Sequence, residues 1–154
     1  MAIPWKPVEV FPESALAWEV TETSWDEGEW FCQVRRVRFS GVYRPGSAGS
    51  PDAGLMMAVT AAALARDSPD VVLFDLAELD YRWGDGLLGV FQVVGARDAE
   101  HPVACVVVAG EACIGAVRSL AGGAAASGEW LFESVEAAWP RVVELAVARS
   151  RAIG

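Results

Sequence analysis

Two short runs built only of apolar residues constrain this chain most: residues 71–74, Val-Val-Leu-Phe, and residues 103–109, Val-Ala-Cys-Val-Val-Val-Ala. Each is the length of a strand and neither alternates with polar residues, so both read as strands buried on two faces. A strand covered on both faces needs helices above and below it, and the intervening sequence supplies them. The first run belongs to residues 71–94, VVLFDLAELDYRWGDGLLGVFQVV. It is followed by an acidic, aromatic loop and then an apolar helix opening at Gly84-Asp85-Gly86. A loop at the carboxyl end of a buried strand is exposed, and the helix start beyond it offers unpaired N–H groups with a partial positive charge. A functional site is expected there.

The rest of the chain falls around that stretch. Residues 1–14 carry Pro4, Pro7 and Pro12 between Trp5, Val8, Val10 and Phe11, which excludes a helix or a central strand and predicts an extended arm on the body or at the sheet edge. Residues 15–154 are expected to form a single domain. From Ala15 the side chains alternate, with Leu16, Trp18 and Val20 on one face and Ala17, Glu19, Thr21 and Thr23 on the other, as in a half-buried strand. Asp26-Glu27-Gly28 marks a turn, and residues 30–42 form the second arm of a hairpin. The apolar phase of that arm slips, Cys32 and Val34 on one parity and Val37 and Phe39 on the other, which predicts a bulge or break near Arg35-Arg36. Arg35, Arg36 and Arg38 read as solvated or edge-protecting charges.

Residues 44–54, RPGSAGSPDAG, form a loop whose glycines lack the spacing of a phosphate-cradling loop. Ser50 is placed as the cap of a helix with Pro51 at its first position and Asp52 complementing the dipole, continuing through Arg66. After the central helix, residues 97–102 make a loop holding the single histidine, His101, which reads as a surface residue. Residues 112–121 predict a short helix stopped by Gly122-Gly123, a flexible AAASG segment follows, and residues 129–132 form a last short strand. Ser134 caps the terminal helix, in which Pro140 predicts a kink or restart near Trp139. Strands alternating with helices imply a partly parallel sheet joined by right-handed crossovers.

Composition narrows the partners. The chain of 154 residues has a formal net charge of -9 and 53% apolar residues, so it is compact and its field repels phosphate backbones and anionic membranes while attracting basic proteins. Neither nucleic acid nor a membrane is an expected partner. Three cysteines, none in a CxxC, do not make a disulfide framework. Cys105 and Cys113 read as small packing residues, although Cys113 lies at a helix start that would stabilise a thiolate. No signal peptide is visible and no apolar stretch reaches the ~20 residues needed to cross a bilayer. A cytoplasmic protein is expected.

Residues 34–143 resemble the STAS domain, known from anti-sigma factor antagonists, stressosome subunits and the tails of sulphate transporters. The matching parts are Val37-Arg38-Phe39-Ser40-Gly41 for an early strand, Val72-Leu73-Phe74-Asp75-Leu76 for the central strand, Gly86-Leu87 opening the second helix, and Leu131-Phe132-Glu133-Ser134-Val135-Glu136-Ala137-Ala138 for the last strand and helix. The resemblance implies an α/β fold, a mixed sheet of about five strands with about four helices. It also implies a bacterial regulator that binds a partner kinase or anti-sigma factor. The family's signature is Asp-Ser-x-Gly-Leu, with a phosphorylatable serine or threonine. Here Trp83 stands at the aspartate's place and Gly84 at the serine's, so the phosphorylation switch is expected to be absent. Asp85 would put one fixed charge beside that place, or simply favour the helix dipole.

Three functional readings follow. In the first, a non-catalytic protein-binding domain uses Tyr81, Arg82, Trp83, Gly84 and Asp85 as its contact surface, Trp, Tyr and Arg being the residue types that most often carry interface energy. In the second, an acidic immunity-type protein neutralises a basic toxin, its Trp5, Trp18, Trp25 and Trp30 serving a Trp-rich extension. In the third, Asp75, Glu78, Asp80 and Asp85 hold a divalent metal for an enzyme. The first is preferred, with no catalytic residue, metal ligand or cofactor assigned. Assembly into a homodimer stays open.

Overall fold

The computed structural model describes residues 2–120, 122 and 128–154. Five strands form one sheet in the order β1-β2-β3-β4-β5: Ala17–Glu27, Trp30–Val42, Val71–Asp80, Ala104–Ala109 and Leu131–Phe132. β1 and β2 pair antiparallel as the predicted hairpin, and β2 through β5 are parallel. The helices are α1 (Ser50–Ala65), α2 (Gly86–Gly95), α3 (Ile114–Leu120) and α4 (Val135–Ile153), with a 3-10 turn at Gly46–Gly49 before α1.

The core has two parts, one on each face of the sheet. Val37, Phe39, Val72, Phe74 and Leu76 pack under α1, α2 and α3, whereas Cys32, Val34, Val71, Leu73, Val106 and Val108 pack under α4. This explains the phase slip in β2. The strand needs no bulge near Arg35-Arg36, because its first half is covered on one face by α4 and its second half on the other, and its register with β1 is unbroken. The irregularity lies on the other side, between β2 and β3. Arg38 faces Asp75 and Ser40 faces Glu78, so Phe39 alone stands opposite Leu76 and Ala77. The extra residue in β3 keeps Leu79 facing inward at 1% exposure.

Of the arginine cluster, Arg36 and Arg38 stay partly exposed, but Arg35 is not a solvated charge. Arg35 is buried at 4% exposure. Its Nη1 donates to the carbonyls of Ala63 (2.7 Å) and Asp67 (3.0 Å), and its Nη2 to the carboxylates of Glu22 and Asp67, both at 2.6 Å. One guanidinium thus joins β1, β2 and the carbonyls at the end of α1, the fork geometry for which arginine is suited. Arg36 pairs with buried Asp75 and Arg38 with Glu78.

The start of α1 also differs from expectation. Gly49 occupies the N-cap, and Ser50 is the first helical residue with no side-chain cap bond. Asp52 turns inward instead. It accepts from Ser14 Oγ (2.6 Å) and from the Arg44 backbone N–H (2.9 Å) and side chain (3.0 Å). Burial alone would push its carboxyl up, but those donors overcome burial and hold it below the usual carboxylate value. Ser14 thereby ties the arm to α1, while Ile3, Trp5, Val8 and Val10 stay exposed. Trp18, expected on the half-buried face of β1, is 53% exposed, although Leu16 and Val20 on the same face pack against the core.

At the other end, Ser134 caps α4 as predicted, its Oγ accepting from the Ala137 N–H (3.1 Å). α4 continues through Pro140 without a restart. Ala138, Val142 and Ala146 form its buried stripe, and Arg149 reaches the His101 carbonyl (3.0 Å), Asp70 (3.4 Å) and Asp98 (3.3 Å). The predicted AAASG segment, apart from Gly128, lies outside the described residues.

Because Arg35 satisfies two carboxylates and two carbonyls at once, Arg35→Met is expected to lower unfolding stability by about 1–3 kcal/mol, the usual cost of leaving buried polar groups without a partner. A shift of the urea midpoint at constant slope measures it.

Candidate functional site

The central strand runs further than its apolar start suggested, through Asp80, and places three of the four acidic candidates on the sheet itself. Asp75 is bonded to Arg36 and Glu78 to Arg38 on the sheet's α4 side. Asp80 has Arg82 Nε 3.3 Å from its Oδ1, too poorly aligned to hydrogen-bond, so that buried oxygen accepts no bond among the described residues. Asp85 is exposed at the start of α2. Among the described residues no group of three His, Cys, Asp or Glu side chains is placed to share a metal ion. The grouping of Asp75, Glu78, Asp80 and Asp85 around one cation is therefore corrected: Arg36 and Arg38 take up Asp75 and Glu78, and Asp85 lies apart at the start of α2.

What the fold builds at the carboxyl end of β3 is an aromatic rim. Tyr81, expected on the contact surface, is instead buried at 1% exposure. Its backbone N–H donates to the Ala112 carbonyl (3.0 Å), its hydroxyl donates to the Gly84 carbonyl, and its ring meets Tyr43 edge-on at 4.9 Å. The side chain points inward because the extra residue in β3 sets the parity of everything after it. Tyr81 thus supports the connection to α2 from below. Burial, with smaller effects of Tyr43, Cys113 and Asp85, pushes its phenol well above the ordinary value.

Above it, Trp83 is 63% exposed. Its ring lies across Gly46, where a Cβ would come within 2.6 Å of the indole, so only glycine permits the close approach. Arg82 and Asp85 flank it, both exposed, and Gly84 is half-buried. Trp83, Gly84, Asp85, Gly46, Ser47 and Met57 border an open groove of ≈ 670 Å³ with Tyr43 at its floor. Sequence reading missed Tyr43, Gly46, Ser47 and Met57. They come from β2, the 3-10 turn and α1, and no local pattern connects them to residue 83.

The backbone at Gly84 carries a further finding. Its φ is +133°, a conformation that L-residues rarely adopt. A serine at this position would have to adopt that conformation. Gly86 is held for a different reason: a Cβ there would fall 2.6 Å from the Tyr43 hydroxyl and 2.8 Å from Ala53 Cβ. Asp85 takes the N-cap position of α2 but makes no side-chain cap bond. Cys113 is buried at 1% exposure just before α3, and burial together with the Asp80 carboxylate pushes its thiol up to about 12. It packs, as expected, and gains nothing from the helix start.

With sheet order and rim established, the fold can be compared with others. The chain is similar to the crystal structure of an anti-sigma factor antagonist from Mycobacterium paratuberculosis, with a TM-score of 0.53 at 19% identity over 81% of this chain and 95% of that one. The fold is accordingly a STAS-like mixed α/β sheet, the class expected from sequence. No protein-family profile matches the chain, and no curated protein sequence does. Among the described residues no helix is long and apolar enough to cross a membrane.

Gly84→Ser is expected to destabilise the protein by about 1–3 kcal/mol through backbone strain at positive φ, measured by thermal or urea unfolding. A Gly84→Ser protein as stable as the parent would refute the strain. A pH dependence follows from Cys113 and Tyr81. The fold favours their neutral forms, so their contribution is intact below pH 9 and is lost as pH rises toward 12. Urea midpoints across that range are expected to fall, and to fall less in Cys113→Ala than in the parent.

Proposed function

We infer that this chain is a non-catalytic regulatory domain that binds a protein partner, of the anti-sigma factor antagonist kind but without a phosphorylation switch. The observation that carries this reading is Trp83, a large aromatic left 63% exposed yet steadied across Gly46 at the end of the central strand. An ordered, exposed tryptophan loses little freedom on binding and offers a large apolar area, the properties of an interface anchor. Arg82 and Asp85 supply charges of both signs at its rim, and the groove beside it accommodates a side chain from the partner. Tyr81 belongs to the support beneath this surface. Likeness of fold to a protein described as an anti-sigma factor antagonist favours an anti-sigma factor or a related kinase-like protein as the partner. The absence of a hydroxyl at residue 84 makes binding constitutive in this reading, with Asp85 contributing a permanent charge next to that position.

Affinity capture with the full chain, followed by titration of the recovered partner, tests it. Trp83→Ala is expected to weaken binding by more than about tenfold, as for a central aromatic anchor, while leaving the unfolding midpoint unchanged. Equal binding by the two proteins would remove this surface from the function.

A further inference from the structure

The sheet has one long open edge. β1 pairs with β2 without interruption from Ala17↔Ser40 to Glu27↔Trp30 and, among the described residues, with no other strand. Its outward row of N–H and C=O groups is therefore unpaired among the described residues. The opposite edge, β5, is only two residues long. Open edges are ordinarily blunted by proline, lysine, a bulge or shortness. β1, AWEVTETSWDE, has no proline, lysine or bulge along its 11 residues, is blunted by acidic side chains alone, and is rich in strand-forming Trp, Val and Thr. It carries four acids, Glu19, Glu22, Asp26 and Glu27, and no base.

Two of these acids have partners within the chain. Glu22 is held by Arg35 (2.6 Å), and Glu27 accepts the Trp25 indole N–H (3.2 Å). Glu19 and Asp26 enter no ion pair among the described residues. Alternation puts Glu19 and Glu27 on one face of the strand and Asp26, with exposed Trp18, on the other. A second copy is a poor occupant. Antiparallel pairing of two β1 strands about Glu22 sets Glu22 against Glu22 and Asp26 against Trp18, and brings together two chains each of net charge -9.

We propose that β1 is a docking edge for an extended, lysine- or arginine-rich segment of a partner protein, which adds to the sheet as a sixth strand. Main-chain hydrogen bonds to β1 supply the attraction, as in other strand additions. Glu19, Asp26 and Glu27 select cationic side chains on both faces of the segment, and the ring of Trp18 is available to one of them. The proposal uses a surface separate from Trp83 and stands whether or not the rim is a binding site.

A capped nonapeptide, Lys-Val-Thr-Lys-Val-Thr-Lys-Val-Thr, serves as the probe and is titrated into the full protein. Hydrogen exchange is expected to show protection of alternate amides along β1. The exposed-side-chain variant Glu19→Gln/Asp26→Asn/Glu27→Gln, checked for an unchanged unfolding midpoint, is expected to bind about tenfold more weakly as its charge attraction is lost. Two forms of the peptide, N-methylated on odd or on even residues, distinguish strand pairing from charge attraction, because only one edge of the peptide faces β1. One form binds and the other does not. Trp83→Ala leaves the affinity unchanged. No binding, equal affinity of the two methylated forms, no effect of the triple substitution, protection confined to the Trp83 rim, or a homodimer that protects β1 in the absence of peptide would each overturn the proposal.

Discussion

Two residues of β3, Leu76 and Ala77, stand opposite the single residue Phe39 of β2, and much of the site depends on that mismatch. Before it, Phe74 faces α1 and α2; after it, Leu79 and Tyr81 still face the same core, which an unbroken period of two would not allow. The loop after β4 closes over the same place, since a Cβ on Gly110 would lie 2.3 Å from the Ala77 carbonyl oxygen. With Tyr81 directed inward, its hydroxyl holds the Gly84 carbonyl, and Trp83 is left on the outside across Gly46. An added residue in one strand thus decides which aromatic of the connection is buried and which is presented.

Charge follows a similar division. The arginines 35, 36 and 38 resemble a surface cluster in sequence, but each has a carboxylate partner from another element: Glu22 and Asp67, Asp75, and Glu78. These pairings take up Asp75 and Glu78, two of the acids grouped from sequence as a metal site. Asp52 is likewise drawn inward by Arg44 and Ser14 rather than left to interact with a helix dipole. Glu19, Asp26 and Glu27, at the edge where the sheet ends, are among the acids with no such partner among the described residues.

How much of this was legible before the structure can be judged residue by residue. The all-apolar runs in β3 and β4 and the Ser134 cap were readable because each depends on neighbours within a few positions, as was the turn at Gly28, although Asp26 and Glu27, read as part of it, belong to β1. The Gly86-Leu87 opening of α2 was readable too, although its cause, the approach of Tyr43 and Ala53, was not. The parity of Tyr81 was misread because the register shift that sets it is a property of two strands separated by α1. The burial of Arg35 was misread because its partners lie 13 and 32 residues away.

From sequence alone came the alternation of strands and helices and the acidity, both consequences of local composition and period. Tertiary structure alone decided the backbone twist at Gly84, the burial of Tyr81 and the exposure of Trp83, and the open edge of β1. Each of these depends on which residues meet across the sheet, and such pairings are set by packing between elements distant in the chain.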